Sequence, residues 1–443
     1  MTPAYTRKIA QKLPIKQLAK IFDAISSYGE VRLVGGCVRD IIFESINKAA
    51  QYESSDLRDG KSLLNHSDEA VKNQQNPPAD QTSNMDYDMS TTIKPCDLIK
   101  ILHSSNISAR MISAKHGTVL ATLDNIRCEI TTLRKDVKCD GRHADVEFID
   151  NWEEDAARRD FTINAMSMDL SWNIYDYFNG LADLKNRIVR FVGDPINRIK
   201  EDHLRILRYF RFCAYIGTSN IDQASLAAAA TLSFELSSIS GERIRSEFFR
   251  ILSAKYAKDV VKLIFSHKVN RAIGIADINI DLLSRVHFSG DRLVDIAALI
   301  ILSDSHKIDI LKIADRWKLS ENEKRTMISL YEQYMTYGNA LCSSDIMLHK
   351  KCLYIFGEQL YKKMLSLTLV LNHQLKLDTL INLMKDQIIP TFPVDGYDIK
   401  NLGLTGKEIG DAMRHLKKLW IDSNFSISKE KLLEKAINHK ENL

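Results

Sequence analysis

Val31-Arg32-Leu33-Val34-Gly35-Gly36-Cys37-Val38-Arg39-Asp40 reads as a short apolar strand that runs through two glycines into a helix. Paired glycines at such a junction let the backbone approach a ligand closely, so the helix N-terminus and Arg39 can meet a triphosphate. An ordinary strand-to-helix turn would use the same residues, and the surrounding sequence has to decide between the two. Apolar runs at Thr118–Leu123 and Arg127–Thr132 also read as strands, which makes residues 31–150 mixed α/β. From about Asp155 a 3.6-residue period dominates, with helices expected at Glu201–Tyr215, Glu242–Leu252, Asp259–Phe265, Asp295–Leu302 and Lys407–Trp420. The fold class is α+β: a head with a mixed sheet, then a long all-α remainder.

Before the strand at Val31, the residues Leu13, Leu18, Ile21, Phe22 and Ile25 approximate one helical face. The basic, acid-poor start would also suit a transit segment, but the periodicity favours a structural helix over residues 1–30. Between Ile46 and Asn84 lies a polar stretch rich in Asn, Gln, Ser and Asp that contains Pro77-Pro78. It has too little apolar surface to order itself and is expected to be a mobile surface insertion.

A chain of 443 residues exceeds one hydrophobic core and implies several domains. Its 45% apolar and 27% charged residues are ordinary for a globular protein, and no apolar run approaches the ~18 residues of a membrane helix. Seven cysteines without a CxxC pair point to a reducing cytoplasm and away from structural zinc. The net charge of +4 is too small to imply a polyanion partner by itself. Its distribution says more: Lys185–Arg211 carries eight Lys/Arg against three Asp/Glu, either a solvated helix face or a phosphate-facing surface.

Four further motifs carry chemistry. In Asp86-Tyr87-Asp88 the two carboxylates lie at i and i+2, on one face of a strand, and two hard oxygen ligands suit Mg²⁺ completed by water and phosphate. Glu129, in Cys128-Glu129-Ile130, is the candidate third carboxylate or else a solvent-facing strand residue. In Arg158-Arg159-Asp160-Phe161-Thr162-Ile163-Asn164-Ala165, two arginines entering a helix can fork onto phosphate, and Asp160 shares a face with Asn164. A capping and ion-pair role fits that cluster equally well. The stretch Glu201-Asp202-His203-Leu204-Arg205-Ile206-Leu207-Arg208-Tyr209-Phe210-Arg211 spaces Asp202, Arg205, Arg208 and Arg211 three apart. A carboxylate acceptor beside a guanidinium donor matches cytosine and adenine, each with an amino donor next to a ring-nitrogen acceptor, and mismatches uracil and guanine. The competing interpretation is an intrahelical salt bridge worth ~0.3–0.5 kcal/mol.

The set GGCVRD, DYD, RRDFTINA, YDYFNGLADLKNRIVRFVGDP (175–195) and EDHLRILRYFRF, in this order, resembles class II CCA-adding tRNA nucleotidyltransferases and bacterial poly(A) polymerases. The resemblance is tight over residues 31–215 and looser beyond. It implies a polymerase-β-like nucleotidyltransferase head followed by helical neck, body and tail, with domains at 31–170, 171–265 and 266–443. It also implies that Gly36, Arg39 and Arg159 contact nucleotide, that Asp86 and Asp88 hold magnesium, and that Asp202, Arg205, Arg208 and Arg211 form an amino-acid template. Arg134–Glu147 would be a flexible loop that helps switch from CTP to ATP. AKHGTV (114–119) and the tail segments FPVDGYD (392–398) and GLTGKEIG (403–410) resemble the CCA-adding branch. A Gly-rich turn into a helix in the second segment could seat tRNA phosphate or simply start a helix.

Two departures from the family pattern stand out. Asp40 and Asp86 are separated by 45 residues, most of them the Ile46–Asn84 insertion, and no histidine is followed by aspartate, so no HD phosphohydrolase activity is expected. The expected function is template-independent addition of CCA to the 3′ end of tRNA from CTP and ATP, with Mg²⁺, in the cytoplasm. The alternatives are a poly(A) polymerase, a CC-only or A-only enzyme, or an RNA-binding protein with an inactive head.

Overall fold

The computed structural model describes residues 14–59, 86–140, 143–303, 307–338, 340–343, 345–372 and 390–440. They fall into two compact units, Met1–Ile273 and Gly274–Leu443, with the break a few residues beyond the expected 265/266 boundary. The segments expected as head (31–170) and neck (171–265) both fall in the first unit.

The first unit opens with helix α1 (Ile15–Ser26), whose Leu18, Ile21, Phe22 and Ile25 are all buried, as the i, i+3, i+4, i+7 spacing demands. Strand β1 (Val31–Val34) is buried along its whole length, and helix α2 (Gly36–Asp59) follows at once. Residues 46–59 therefore continue a helix, contrary to the expectation of a structureless insertion beginning at Ile46. Within this extension Asn47 accepts a 2.7 Å hydrogen bond from Nη2 of Arg187, which ties the helix to the neck. The remainder of the insertion, residues 60–85, lies outside the described residues.

Strands β2 (Asp86–Thr91), β3 (Ser108–Ser113), β4 (Thr118–Leu123) and β5 (Ile126–Thr132) join β1 in one sheet, with helix α3 (Pro95–Ser104) between β2 and β3. Two short strands, β8 (Ser167–Met168) and β9 (Ile174–Tyr175), complete the order β3-β4-β5-β2-β1-β8-β9. The sheet is mixed: β2 and β5 pair in parallel, and the other pairings are antiparallel. Strand β5 alternates buried Ile126, Cys128, Ile130 and Thr132 with more open Arg127, Glu129 and Thr131, the pattern of a sheet with one packed face. The segment expected as a flexible loop is a paired hairpin, β6 (Arg134–Asp140) with β7 (His143–Phe148), running from Arg134↔Phe148 to Asp140↔His143 with a register shift between Asp136 and Lys138.

Helices α4 (Trp152–Ala157), α5 (Gly180–Lys185), α6 (Pro195–Glu201), α7 (Arg205–Ile216), α8 (Gln223–Thr231), α9 (Gly241–Leu252), α10 (Ala257–Ser266) and α11 (Val269–Ala272) build the rest of the unit. An aromatic cluster seats α7: Phe161 lies 4.8 Å from Phe191 and 5.2 Å from Phe212 between ring centroids, and Phe191 stacks on Tyr209 at 5.9 Å.

The second unit is helical among its described residues: α12 (Ile280–Arg285), α13 (Arg292–Leu302), α14 (Lys307–Arg316), α15 (Glu321–Tyr337), α16 (Ile346–Leu371, broken at Gly357), α17 (Gly396–Asn401), α18 (Lys407–Asp422) and α19 (Lys429–Lys440). It has two apolar centres. One gathers Val294, Leu330, Met364 and Leu367, the other Ile399, Leu416, Trp420 and Leu432. At the Gly-rich turn before α18, Glu408 accepts the backbone N–H of Thr405 at 3.0 Å, so a carboxylate already occupies part of that helix start.

Candidate active site

A cleft of about 860 Å³ opens in the first unit beside the ends of β1 and β2, and eight arginines and four aspartates line it. That excess of positive charge suits a polyanionic ligand. Gly36, Arg39, Asp88, Arg159, Asp202, Arg205, Arg208 and Arg211, nominated from sequence, all face this cleft.

Gly35, the first of the two glycines, bends the chain into the left-handed region with φ +69°. A Cβ there would stand 3.2 Å from Nη1 of Arg159 and 3.9 Å from Oδ2 of Asp88, so the bare backbone is what lets these two side chains converge. Helix α2 then starts at Gly36 with its N-terminus at the cleft. Arg39, one turn in, is buried; its Nη1 donates to Oδ1 of Asn164 at 2.7 Å and its Nε to Asp40 at 2.8 Å.

In the β2–β5 register Asp88 pairs with Glu129, and directly paired residues of parallel strands share a face. Asp88 is exposed and Glu129 half-buried, but Glu129 does not line the cleft. Position 86 lies on the same face of β2 two residues earlier; its side chain falls outside the described residues. Among the described residues no three His, Cys, Asp or Glu side chains gather around one point. Magnesium needs only one or two carboxylates beside phosphate and water, so a solvent-exposed Asp88 with a second strand position on its face is a donor set that fits. Cys37, beneath this face, donates to the carbonyl of Val34 at 3.1 Å, and burial followed by the charge of Asp88 pushes its thiol up to about 12.

The RRDFTINA segment departs from expectation. Its arginines leave helix α4 instead of entering one, and a 3-10 turn (Thr162–Asn164) follows. Buried Asp155 anchors them: its Oδ1 accepts from Arg158 Nη2 at 2.8 Å and from the N–H of Arg134 at 3.2 Å, and its Oδ2 from Arg159 Nη2 at 3.3 Å. Burial would raise this carboxyl, but the charges of Arg158 and Arg159 outweigh it and hold it below the usual range. Asp160 and Asn164 do meet, through a 3.0 Å bond from Asn164 Nδ2 to Oδ1.

The expected continuous helix Glu201–Tyr215 is broken. Asp202 is extended (φ −152°, ψ 107°) between α6 and α7, because its Oδ1 takes the backbone N–H of Leu204 at 3.1 Å and so competes with helical pairing. Its Oδ2 accepts from Arg243 of α9 at 2.9 Å. Arg205 bonds Glu201 and not Asp202, Arg208 forks onto Asp160 with Nε at 2.8 Å, and Arg211 ion-pairs with Glu247 at 3.2 Å. Burial lowers the Arg211 guanidinium to about 10. Glu201 was legible as the i−4 neighbour of Arg205. Arg243 and Glu247 had no local signal, since only the packing of α9 on α7 brings them in.

A mixed sheet with an exposed carboxylate beside an arginine-lined cleft, followed by a helical segment that lines the same cleft, is the arrangement of a nucleotidyltransferase. Residues 71–190 match the family model described as "Poly A polymerase head domain", and residues 220–273 the one described as "Probable RNA and SrmB- binding site of polymerase A". The chain is 36% identical to "CCA tRNA nucleotidyltransferase 1, mitochondrial" of Mus musculus over 360 residues, 79% of this chain and 81% of that protein. To its Homo sapiens counterpart it is 34% identical over 431 residues, 95% of this chain and 88% of that one. The chain belongs to the CCA tRNA nucleotidyltransferase family. Its fold matches that of the Bacillus stearothermophilus CCA-adding enzyme, solved in complex with CTP, with a TM-score of 0.73 over 97% of this chain and 98% of that one at 20% identity.

Proposed function

We propose that this enzyme adds CCA to the 3′ end of tRNA, joining CTP twice and ATP once without a nucleic-acid template. The observation that carries this reading is the single cleft that holds Asp88, Arg39 and Arg159 at one side and Asp202 and Arg205 at another. In each cycle the tRNA 3′ oxygen bonds to the α-phosphorus, the α–β bridging P–O bond breaks, and pyrophosphate leaves. Asp86 and Asp88 would hold Mg²⁺, which would supply charge to the triphosphate and lower the pKa of the attacking hydroxyl, with Glu129 beside Asp88 in the sheet as a supporting carboxylate. Arg39 and Arg159 bind phosphate oxygens, aided by the N-terminus of α2. Asp202 and Arg205 read the amino donor and ring-nitrogen acceptor shared by cytosine and adenine, while Arg208 and Arg211 shape the wall beside them. Catalysis is then positioning and charge stabilisation.

The helical unit from Gly274 onward serves tRNA binding, with Arg414, Lys417 and Lys418 of α18 as exposed cations for backbone phosphate. No described helix is long and apolar enough to cross a membrane. Six described cysteines are free thiols, which supports a reducing compartment: the cytoplasm in our reading, or the mitochondrion that the relatives' names print. Fractionation with tagged protein distinguishes the two.

The match to a poly(A) polymerase head model keeps poly(A) synthesis as the second reading. Incubating the full chain with tRNA lacking its last three nucleotides, with CTP and ATP offered singly and together, separates the two by product length. Three added nucleotides are expected; a long adenylate tract would establish the rival. Asp88→Ala should abolish addition of both nucleotides while tRNA binding in a gel-shift survives, and persistent addition would remove the metal assignment.

A further inference from the structure

Asp202 and Arg205 do not pair with each other. Asp202 is engaged by Arg243, and Arg205 by Glu201. Glu201 is in turn held by Arg198, whose Nη1 donates to both carboxylate oxygens, at 2.8 and 2.6 Å. From the same guanidinium, Nη2 donates to the backbone carbonyls of Ala157 at 2.7 Å and Arg159 at 2.6 Å. The carbonyl of Arg198 itself accepts from Nη1 of Arg205 at 2.8 Å. One residue, its side chain only 11% exposed and absent from the cleft lining, therefore touches the segment that carries the phosphate-binding arginine and the side chain that reads the base.

We propose that Arg198 is a positioning residue for nucleotide selection, fixing the guanidinium of Arg205 relative to the backbone at Arg159. The proposal rests on the reading of Arg205 as base-selecting. Held at both oxygens by Arg198, the carboxylate of Glu201 has a defined direction, and Arg205 takes its direction from that carboxylate and from the Arg198 carbonyl. Without Arg198, Glu201 would follow the flexible Arg205 instead of orienting it, and the carbonyls of Ala157 and Arg159 would lose their shared donor. Lysine offers three donors from one point and cannot span two carbonyls and a carboxylate in a plane. Base selection needs placement: a donor displaced by a fraction of an ångström still binds a base but no longer rejects the wrong edge.

The test compares Arg205→Ala, Arg198→Lys and Glu201→Gln in the full chain, measuring kcat/KM for CTP and for UTP on tRNA that lacks CCA, with a melting temperature for each protein. Arg198→Lys and Glu201→Gln are each expected to lower the CTP:UTP preference on the order of tenfold, in the direction of Arg205→Ala. A merely structural role would depress both nucleotides equally and leave the ratio unmoved, and that result overturns the proposal. Should Arg198→Lys fail to fold, Glu201→Gln decides, because it leaves the carbonyl clamp in place and removes only the oriented charge. If Arg205→Ala itself keeps the wild-type ratio, the base-reading role of Arg205 is what fails; if it loosens the ratio and the other two do not, the role of Arg198 fails.

Discussion

Asp160→Asn probes the joint between head and neck. Asp160 Oδ1 accepts from the N–H of Phe161 at 2.9 Å and from Asn164 Nδ2 at 3.0 Å, while Oδ2 takes the fork of Arg208. All four partners are donors, so an amide must turn its NH₂ toward one pair or the other and oppose donor with donor. It also leaves Arg208 without its counter-charge. Breaking a buried ion pair costs ~3–5 kcal/mol, and because the Arg208 side chain is 32% exposed and can turn into the cleft, the lower end, about 3 kcal/mol, applies here. For a unit of this size that lowers the melting temperature by about 6–12 °C. The acid profile gives a second readout. Burial would raise this carboxyl, but the Arg208 charge and the bonds from Asn164 and Arg208 win and hold it below its unfolded value of about 3.9. Its stabilisation is therefore complete above about pH 5 and is lost as the pH falls through that value toward the native one. Urea melts at pH 7 and pH 3 should show the wild-type advantage shrinking in acid. A variant that melts within about 1 °C of wild type at pH 7 and keeps a parallel acid profile would refute the reasoning.

Gly35→Ala forces a left-handed φ on a residue with a Cβ, costing ~1–2 kcal/mol, and crowds Arg159 at 3.2 Å; nucleotide addition should fall much further than stability, checked by kcat/KM beside a melting curve. Gly180→Ala places a Cβ 2.2 Å from the backbone oxygen of Thr162, which cannot yield as a side chain would, so a loss of over ~3 kcal/mol and poor soluble expression are expected. Iodoacetamide at pH 8 should label exposed Cys96 and spare half-buried Cys37, whose thiol is pushed up to about 12, with peptide mass spectrometry as the readout; equal labelling would contradict the environment that raises it beside Asp88.

Apolar runs located the strands at Val31–Val34 and Thr118–Leu123, and a 3.6-residue period located four of the five helices nominated beyond Asp155, because an apolar run and a helical stripe are both local properties of the chain. It failed where a side chain competes with the backbone. Asp202 interrupts an otherwise continuous helical pattern by capturing the N–H of Leu204, and polarity alone made residues 46–59 look unstructured although Asn47 is held by a residue 140 positions away.

By itself the sequence nominated the candidate residues: carboxylates at positions 86 and 88, arginines 39 and 159, and the Asp202–Arg211 series, since residue type and spacing are written in the chain. Only the tertiary structure decided who holds whom. Asp202 turns to Arg243, Arg208 to Asp160 and Arg205 to Glu201 and Arg198, and of these only Glu201 lies within helical reach in the sequence. The physical reason is that a guanidinium bonds whichever carboxylate packing brings within about 3 Å. That choice is made by the docking of α9 against α7 and by the loop that brings Asp160 to Arg208, which no local pattern encodes.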